Sequence, residues 1–276
     1  MDKNKAVAKE FYDNFGWEEE VGLTKDALLF EDLRLVSQIY IDRCHKRVPR
    51  HIKSNGKYIL DVASGPIQYP QYLEYSKNFK YRVCADISIT ALKGARKKLG
   101  DKGIYILCDI TNLPFLDNSF DAVVSLHTIY HVPQNEQKKA FIEIFRVLKN
   151  NCSAVIVYSY GSNCKAMLIL SYPLLLLTLL NKIGTAITKS KTDRPKLYFY
   201  AHNYKWIKEN LSTFDSMDIY VWRSVSVSFL KTYVHKWLFG KQILDMIYKL
   251  EEKFPKILGW FGQYPLIVIR KNNKER

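Results

Sequence analysis

Between residues 58 and 159 the chain alternates between two characters. Short runs rich in Val, Ile and Tyr, at 58–62, 81–85, 104–107, 120–126 and 154–159, are separated by stretches with helical spacing at 70–77, 89–99 and 135–149. Strands that alternate with helices pair in parallel as βαβ units, and several in succession make a doubly wound α/β sheet with helices on both faces. In such a sheet a ligand lies beyond the carboxyl ends of the strands, near the point where the strand order reverses. The residues just after each run are therefore the ones to read for chemistry.

Three successive runs end on an aspartate: Asp61, Asp86 and Asp109. The first continues into DVASGPI at 61–67, a loop with a single glycine, Gly65. A carboxylate after the second strand can accept both hydroxyls of a ribose. One after the third can accept from an adenine amino group, with the next backbone N–H donating to the ring. The loop after the first strand lets backbone approach a polar tail, which needs a residue without Cβ at the closest point. Together these needs describe an adenosine-bearing ligand lying across the strand ends. NAD is the competing cofactor, but it wants its pyrophosphate at a glycine-rich helix N-terminus, where Ile67 and Gln68 are bulky. No P-loop is present, which speaks against phosphoryl transfer.

In this order the residues resemble the class I S-adenosylmethionine-dependent methyltransferases of the broad small-molecule type. The family's first motif, close to D-x-G-x-G-x-G, matches residues 61–67 in register. LPFLDNSFD at 113–121 is similar to its run into the fourth strand, and FRVLK at 145–149 to its helix end before the fifth. The likeness covers about residues 57–159. It implies S-adenosylmethionine as cofactor and S-adenosylhomocysteine as product. The implied cofactor residues are Asp61, Ala63 and Gly65 in the loop, Asp86 with Ile87, Asp109 with Ile110, and Ser125 after the fourth strand. Ala63 and Ile67 replace two family glycines. The alanine is tolerable if φ there is negative, the isoleucine sets the following helix slightly farther out, and Gly65 is the glycine that matters.

The resemblance also implies one domain over 1–276, built on a mostly parallel seven-stranded sheet whose last strand is antiparallel. Residues 1–56 would be N-terminal helices over the site, and 57–160 the cofactor-binding core. Segments 161–213 and 223–263 would form a cap, and 214–222 and 264–271 the last two strands. Within the first segment, 2–14 reads as a short amphipathic helix and 24–47 as one helix stopped by Pro49.

Methyl transfer from a sulfonium is an in-line displacement in which the protein aligns the acceptor and excludes water. An oxygen or nitrogen acceptor also needs a base where it carries a proton to lose. The candidates follow the fourth strand: His127 and His131, four apart and so on one face of a helical turn, with Tyr130 beside them. An unperturbed histidine titrates near neutrality, which suits this role. The competing reading gives one histidine a capping or backbone-bonding task. The segment SLHT at 125–128 lacks the Asn/Asp-Pro-Pro-aromatic motif of methyltransferases acting on nucleobase amines, so a small-molecule acceptor is expected and nucleic acid is not.

The formal charge is +15, and residues 151–276 hold 19 Lys/Arg against 8 Asp/Glu, a surplus of 11. That basic half is compatible with an acidic substrate, a membrane surface or simply a solvated face. MLILSYPLLLLTLL at 167–180 is shorter than the about 20 apolar residues of a membrane span. It reads as a lid over the acceptor, a dimer contact or an interfacial membrane segment. About forty residues separate the last two strands, with 229–239 and 242–254 reading as helical and Trp222, Phe229, Tyr233, His235, Trp237 and Phe239 among them. With Phe11, Tyr12, Phe15 and Trp17 they are candidates for an aromatic pocket over the acceptor. The polar, amphipathic start does not read as a signal peptide. Five cysteines without a CxxC pair point to free thiols in the cytoplasm and not to zinc. Two further readings remain open: a membrane-surface methyltransferase for a lipid or quinone, and a regulatory protein that binds the cofactor without turnover.

Overall fold

The alternating stretch folds as five parallel strands in a computed structural model that describes residues 2–20, 22–53, 55–164, 166–167 and 197–273. They are β1 (Gly56–Val62), β2 (Phe79–Asp86), β3 (Gly103–Leu107), β4 (Phe120–Leu126) and β5 (Leu148–Val157). Two more follow, β6 (Ser216–Arg223) and β7 (Tyr264–Lys271). The sheet order is β3-β2-β1-β4-β5-β7-β6, with β7 antiparallel to both neighbours. The chain thus forms the expected doubly wound, mostly parallel seven-stranded sheet, and its strand order reverses between β1 and β4.

Strand periodicity of two divides the apolar residues between two cores. Leu60, Val83, Val123, Ala154, Ile156, Ile267 and Ile269 face one side, and Ile59, Cys84, Ala122, Val124, Val155, Leu266 and Val268 the other. The described residues form ten α-helices: α1 (Lys3–Phe11), α2 (Lys25–Phe30), α3 (Leu35–His45), α4 (Gln71–Glu74), α5 (Ile89–Leu99), α6 (Gln137–Val147), α7 (Tyr204–Asn210), α8 (Val227–Tyr233), α9 (Gly240–Lys253) and α10 (Pro255–Phe261). The first face meets Ala140, Phe141, Ile144 and Val147 of α6 and Ile207 of α7. The second meets Tyr40, Ile41 and Cys44 of α3, Leu92 and Ala95 of α5, Leu230 of α8 and Leu244 of α9. Helix α5 shows why these segments start and stop where they do. Ser88 Oγ accepts from Ala91 N at its start, three cations occupy its last turn, and Gly100 ends it at φ 53°.

Two expectations are corrected here. The helix expected over 24–47 is two helices with an extended break after Phe30. The cause is Asp32, whose buried carboxylate accepts from Arg34 Nε (2.8 Å) and Nη2 (2.6 Å) and from Ser37 Oγ (2.6 Å). Asp32 Oδ1 also accepts from the Arg34 backbone N–H, so the side chain replaces the helical partner. The aromatic stretch expected to be helical over 229–239 ends earlier, at Tyr233, and Trp237 and Phe239 project into solvent. Apart from Met167, whose Sδ accepts from Ser226 N, the apolar run 167–180 lies outside the described residues.

Candidate functional site

The loops after β1, β2, β3 and β4 converge on a cavity of about 630 Å³ at the point where the strand order reverses. Its floor is Val62 to Gly65, Asp86 and Ile87, Cys108 to Ile110, and Leu126 to Thr128. Its cover comes from the N-terminal segment (Lys5, Tyr12, Trp17, Asp26, Leu29, Phe30 and Glu31) and from Leu197, Phe199 and Ser226 to Ser228. Two polar ties fasten that cover to the sheet. Lys5 Nζ, itself buried, bonds Asp109 Oδ2 (2.6 Å), Thr111 Oγ1 (2.8 Å) and Glu136. Asp13 accepts from Ser88 Oγ (2.6 Å), and its carbonyl from Thr90 Oγ1 (3.0 Å).

The loop after β1 keeps a glycine-like backbone with one glycine. Ala63, Gly65 and Ile67 have φ of 53°, 57° and 56°, so the negative φ expected for Ala63 is corrected. A left-handed residue with a Cβ costs about 1–2 kcal/mol. Ile67 is fully buried in the second core, and burying such a side chain contributes about 1.5–3 kcal/mol, which offsets the strain. Half-buried Ala63 has no such return. Ala63→Gly is therefore expected to raise stability by about 0.5–1 kcal/mol, the reverse of an ordinary Ala→Gly change. Urea denaturation checks this; a lowered midpoint would contradict it. Gly65 N donates to Asp86 Oδ2 at 2.9 Å, and a Cβ on Gly65 would meet the Trp17 ring at 3.2 Å.

The acids separate by environment. Asp86 lines the cavity, and its Oδ1 accepts from Ser88 N at 2.8 Å while Oδ2 takes Gly65 N–H. Each oxygen keeps lone-pair capacity toward the cavity. Burial raises the Asp86 pKa to about 6 against these two backbone bonds. Asp109 also lines it, between Cys108 and Ile110, and its pKa is lowered: burial opposes the charge, but Lys5 and the Thr111 backbone outweigh it. Ile87 and Ile110 supply apolar walls.

Asp61 and Ser125 do not belong to the cavity wall. Asp61 is buried beneath it, its Oδ2 accepting from Arg82 Nε (3.1 Å) and Nη2, so its task is to neutralise a buried strand arginine. Ser125 is fully buried inside β4, and its Oγ has no hydrogen-bond partner among the described residues.

His127, Tyr130 and His131 do line the same cavity, but not as a shared helical face. His127 has φ 59°, and only Ile129–His131 form a single 3₁₀ turn. Nor do the histidines titrate near neutrality. Burial, with Arg223 adding, holds His127 well below the usual imidazole range, and burial lowers His131 to about 4. His131 Nδ1 lies 2.8 Å from the Tyr198 carbonyl and donates to it as a neutral ring, leaving Nε2 as an acceptor. The His127 ring packs edge-on against Trp222 (4.5 Å between centroids), so that tryptophan lies behind the wall and not in it.

Sequence reasoning missed the residues on the cover. Asp26 lines the cavity, and burial followed by the nearby Glu31 charge raises its pKa to about 7, with a Gln68 hydrogen bond opposing. Glu31 Oε2 has no hydrogen-bond partner among the described residues and lies 3.5 Å from Arg223 Nη1. His45 Nε2 and Trp17 Nε1 are buried without a hydrogen-bond partner among the described residues, and Glu31, His45 and Trp17 all line the cavity. Of the aromatics expected around the acceptor, Tyr12 and Trp17 are present, stacked at 4.8 Å. Among the described residues no cluster of His, Cys, Asp or Glu is arranged to hold a metal ion.

Residues 60–156 match the methyltransferase domain family. Over 171 residues the chain is 30% identical to the ubiquinone/menaquinone biosynthesis C-methyltransferase UbiE of Rickettsia typhi, which covers 58% of this chain and 63% of that protein. It thus spans somewhat less than two thirds of that relative's length. Among solved structures it resembles the PH0226 protein from Pyrococcus horikoshii, with a TM-score of 0.55, 16% identity and coverage of 99% and 100%. It also resembles the magnesium protoporphyrin IX methyltransferase ChlM from Synechocystis with bound SAH, with a TM-score of 0.53, 13% identity and coverage of 98% and 100%. Likeness at these identities shows the fold.

Proposed function

We infer that this chain, a member of the class I S-adenosylmethionine-dependent methyltransferase family, methylates an oxygen or nitrogen of a small-molecule acceptor with an apolar or aromatic body. The observation that carries this reading is the set of unpaired polar atoms in the cavity. Buried polar groups without partners are few in folded proteins, yet among the described residues Trp17 Nε1 and His45 Nε2 have no hydrogen-bond partner, and both residues line the cavity that also receives Asp86 and Asp109. Such atoms suit ligands that bring their own polar groups.

The cofactor fits the floor. Asp86 would hold the ribose hydroxyls with the lone pairs that Gly65 and Ser88 leave free. Ile87 and Ile110 would flank the adenine, and Asp109 Oδ2 would accept its amino group, shared with Lys5. The Trp17 indole N–H, which has no hydrogen-bond partner among the described residues, would donate to the carboxylate of the amino-acid tail. Bound there, S-adenosylmethionine supplies a methyl group activated on a sulfonium.

The chain's own contribution is on the cover. Asp26 takes the acceptor's proton: it is ionised in a large fraction near pH 7 and basic enough to hold a proton, whereas the two histidines are too weakly basic. Glu31 raises that basicity, and Tyr12, Phe30 and Tyr69 enclose the acceptor's body and exclude water. His131 Nε2, Tyr130 and the neutral His127 orient the acceptor.

A second reading, methylation of a ring carbon, is favoured by the relatives described as ubiquinone/menaquinone biosynthesis C-methyltransferases. The same base would serve there, because removing a phenolic proton makes the ring carbon nucleophilic. Both readings are tested by incubating the protein with methyl-labelled cofactor and a panel of phenols, quinols and amines, then locating the label by mass and NMR spectroscopy. Label on oxygen or nitrogen supports the first reading and label on carbon the second. Cofactor binding with no transfer to any of them would favour a regulatory protein without turnover.

A further inference from the structure

We propose that the face formed by the His235–Gly240 turn and the outer side of α9 docks on an anionic lipid bilayer. The turn carries Trp237 and Phe239, 76% and 71% exposed, with Leu238 between them. Three features show that this exposure is built and not frayed. Gly240 N and Leu238 N both donate to the His235 carbonyl, at 2.9 and 3.1 Å, closing the turn. The Trp237 ring stacks on His235, which lies 3.3 Å from Arg34 Nη1. Phe239 holds φ 54°, a left-handed conformation that a residue with a Cβ adopts at a cost and that no burial returns here. The apolar character continues along α9 through Met246 and Leu250, which follow Phe239 at helical spacing and are both exposed.

Charge identifies the partner. The acids of α9 are all ion-paired, Glu251 in the interior and the other two at the surface: Asp245 with Arg43 (2.5 Å), Glu251 with Arg47 (2.9 Å), and Glu252 with Arg47 and Arg50. Lys236, Lys241, Lys249 and Lys253 are exposed, and none forms an ion pair with another described residue. The exposed apolar residues thus stand beside four lysines that no ion pair among the described residues neutralises, while the acids of α9 are already taken up by arginines. Amphipathic surfaces with lysines beside Trp and Phe settle at the boundary of headgroups and acyl chains, and each lysine near an anionic surface adds about 1 kcal/mol. A second copy of the chain would instead bring the same four lysines to meet their equivalents. No helix among the described residues is long and apolar enough to cross a bilayer.

Position links the face to the site. Ser226 to Ser228 line the cavity and open α8, which leads directly into the turn. A docked molecule would hold the cavity near the bilayer surface, where an apolar acceptor is concentrated. The proposal itself stands apart from the methyl-transfer reading.

Co-sedimentation with vesicles of phosphatidylcholine containing 30% phosphatidylserine, against phosphatidylcholine alone, tests it in about 0.1 M salt. We expect at least tenfold stronger partitioning to the anionic vesicles, and a loss of tenfold or more in the Trp237→Ala/Phe239→Ala variant at unchanged circular dichroism. Brominated lipid should quench part of the tryptophan emission in the wild type but not in Trp237→Phe, which keeps the fold question out of the result. Equal partitioning to both vesicles, full binding by the double variant, or quenching unchanged in Trp237→Phe would overturn the proposal. So would a wild-type dimer in sedimentation velocity that becomes monomeric in the double variant.

Discussion

Asp86→Ala is expected to weaken S-adenosylhomocysteine binding by at least a hundredfold. The carboxylate makes two kinds of contact, and the change removes both. It accepts the backbone N–H groups of Gly65 (2.9 Å) and Ser88 (2.8 Å), and leaving two buried donors unpaired costs about 1–3 kcal/mol each. Part of that cost falls on the free protein as looser loops, and part on the complex, which needs those loops in place. The proposed bonds to the ribose hydroxyls are lost as well. A hundredfold corresponds to about 2.7 kcal/mol, within reach of the second effect alone. The charge also sets a pH dependence. Burial raises the Asp86 pKa to about 6, so affinity should rise between pH 5 and 7 as the carboxylate ionises, and flatten above. Equilibrium dialysis with labelled S-adenosylhomocysteine reads both effects. Binding by folded Asp86→Ala within threefold of wild type would mean that the ligand lies elsewhere.

Asp26→Asn is expected to lower kcat by 10²- to 10³-fold with cofactor affinity unchanged. The substitution keeps size and polarity but removes a base, and a positioned base contributes on the order of 10²–10⁴. In the wild type kcat should rise with pH through about 7, because burial and the Glu31 charge hold Asp26 protonated below that; the variant should lose this step. Stability should move the other way. Unfolded Asp26 ionises near the usual 3.8 and the folded group near 7, so the folded state binds the extra proton between those values. Its contribution to stability is greatest below about pH 4, falls as pH rises, and is fully lost above about 7. Asp26→Asn should flatten that decline in thermal unfolding. A variant with the wild-type pH profile would remove Asp26 from the chemistry.

These two acids differ in how far the sequence revealed them. Asp86 and Asp109 were legible because strand ends are where a doubly wound sheet puts its ligand, and alternation located those ends to within a residue or two. Asp61 occupies the same kind of position but turns beneath the loop, because a strand arginine, Arg82, is buried next to it and needs an anion. The relevant signal was an arginine inside an apolar strand, three residues from Ala85. Asp26 and Glu31 were hidden by periodicity. Residues 24–47 carry helical spacing throughout, and the break that brings Glu31 to the cavity is made by side-chain bonds from Asp32 to groups up to five residues away. Spacing does not register such bonds.

The loop after β1 shows another limit. Its left-handed conformations at 63 and 67 persist without glycine, held by the sheet beneath and, for Ile67, by burial. The histidines were found, but not their protonation. Their low basicity comes from enclosure by residues distant in sequence: Tyr12 and Phe199 around His131, and Trp222, Tyr264 and the Arg223 charge around His127. The exposed turn at Trp237 and Phe239 read as helix and pocket because its aromatic spacing is helical, whereas the chain reverses there through a left-handed phenylalanine.

Calorimetric titration of the wild-type protein with S-adenosylmethionine tests the central claim most directly. The expected result is one site per chain with a micromolar Kd, about −8 kcal/mol, competed by S-adenosylhomocysteine. No heat from folded, monodisperse protein would contradict it, since the floor built from Gly65, Asp86 and Asp109 would then be closed to the cofactor by the cover that Trp17 and Lys5 hold over it.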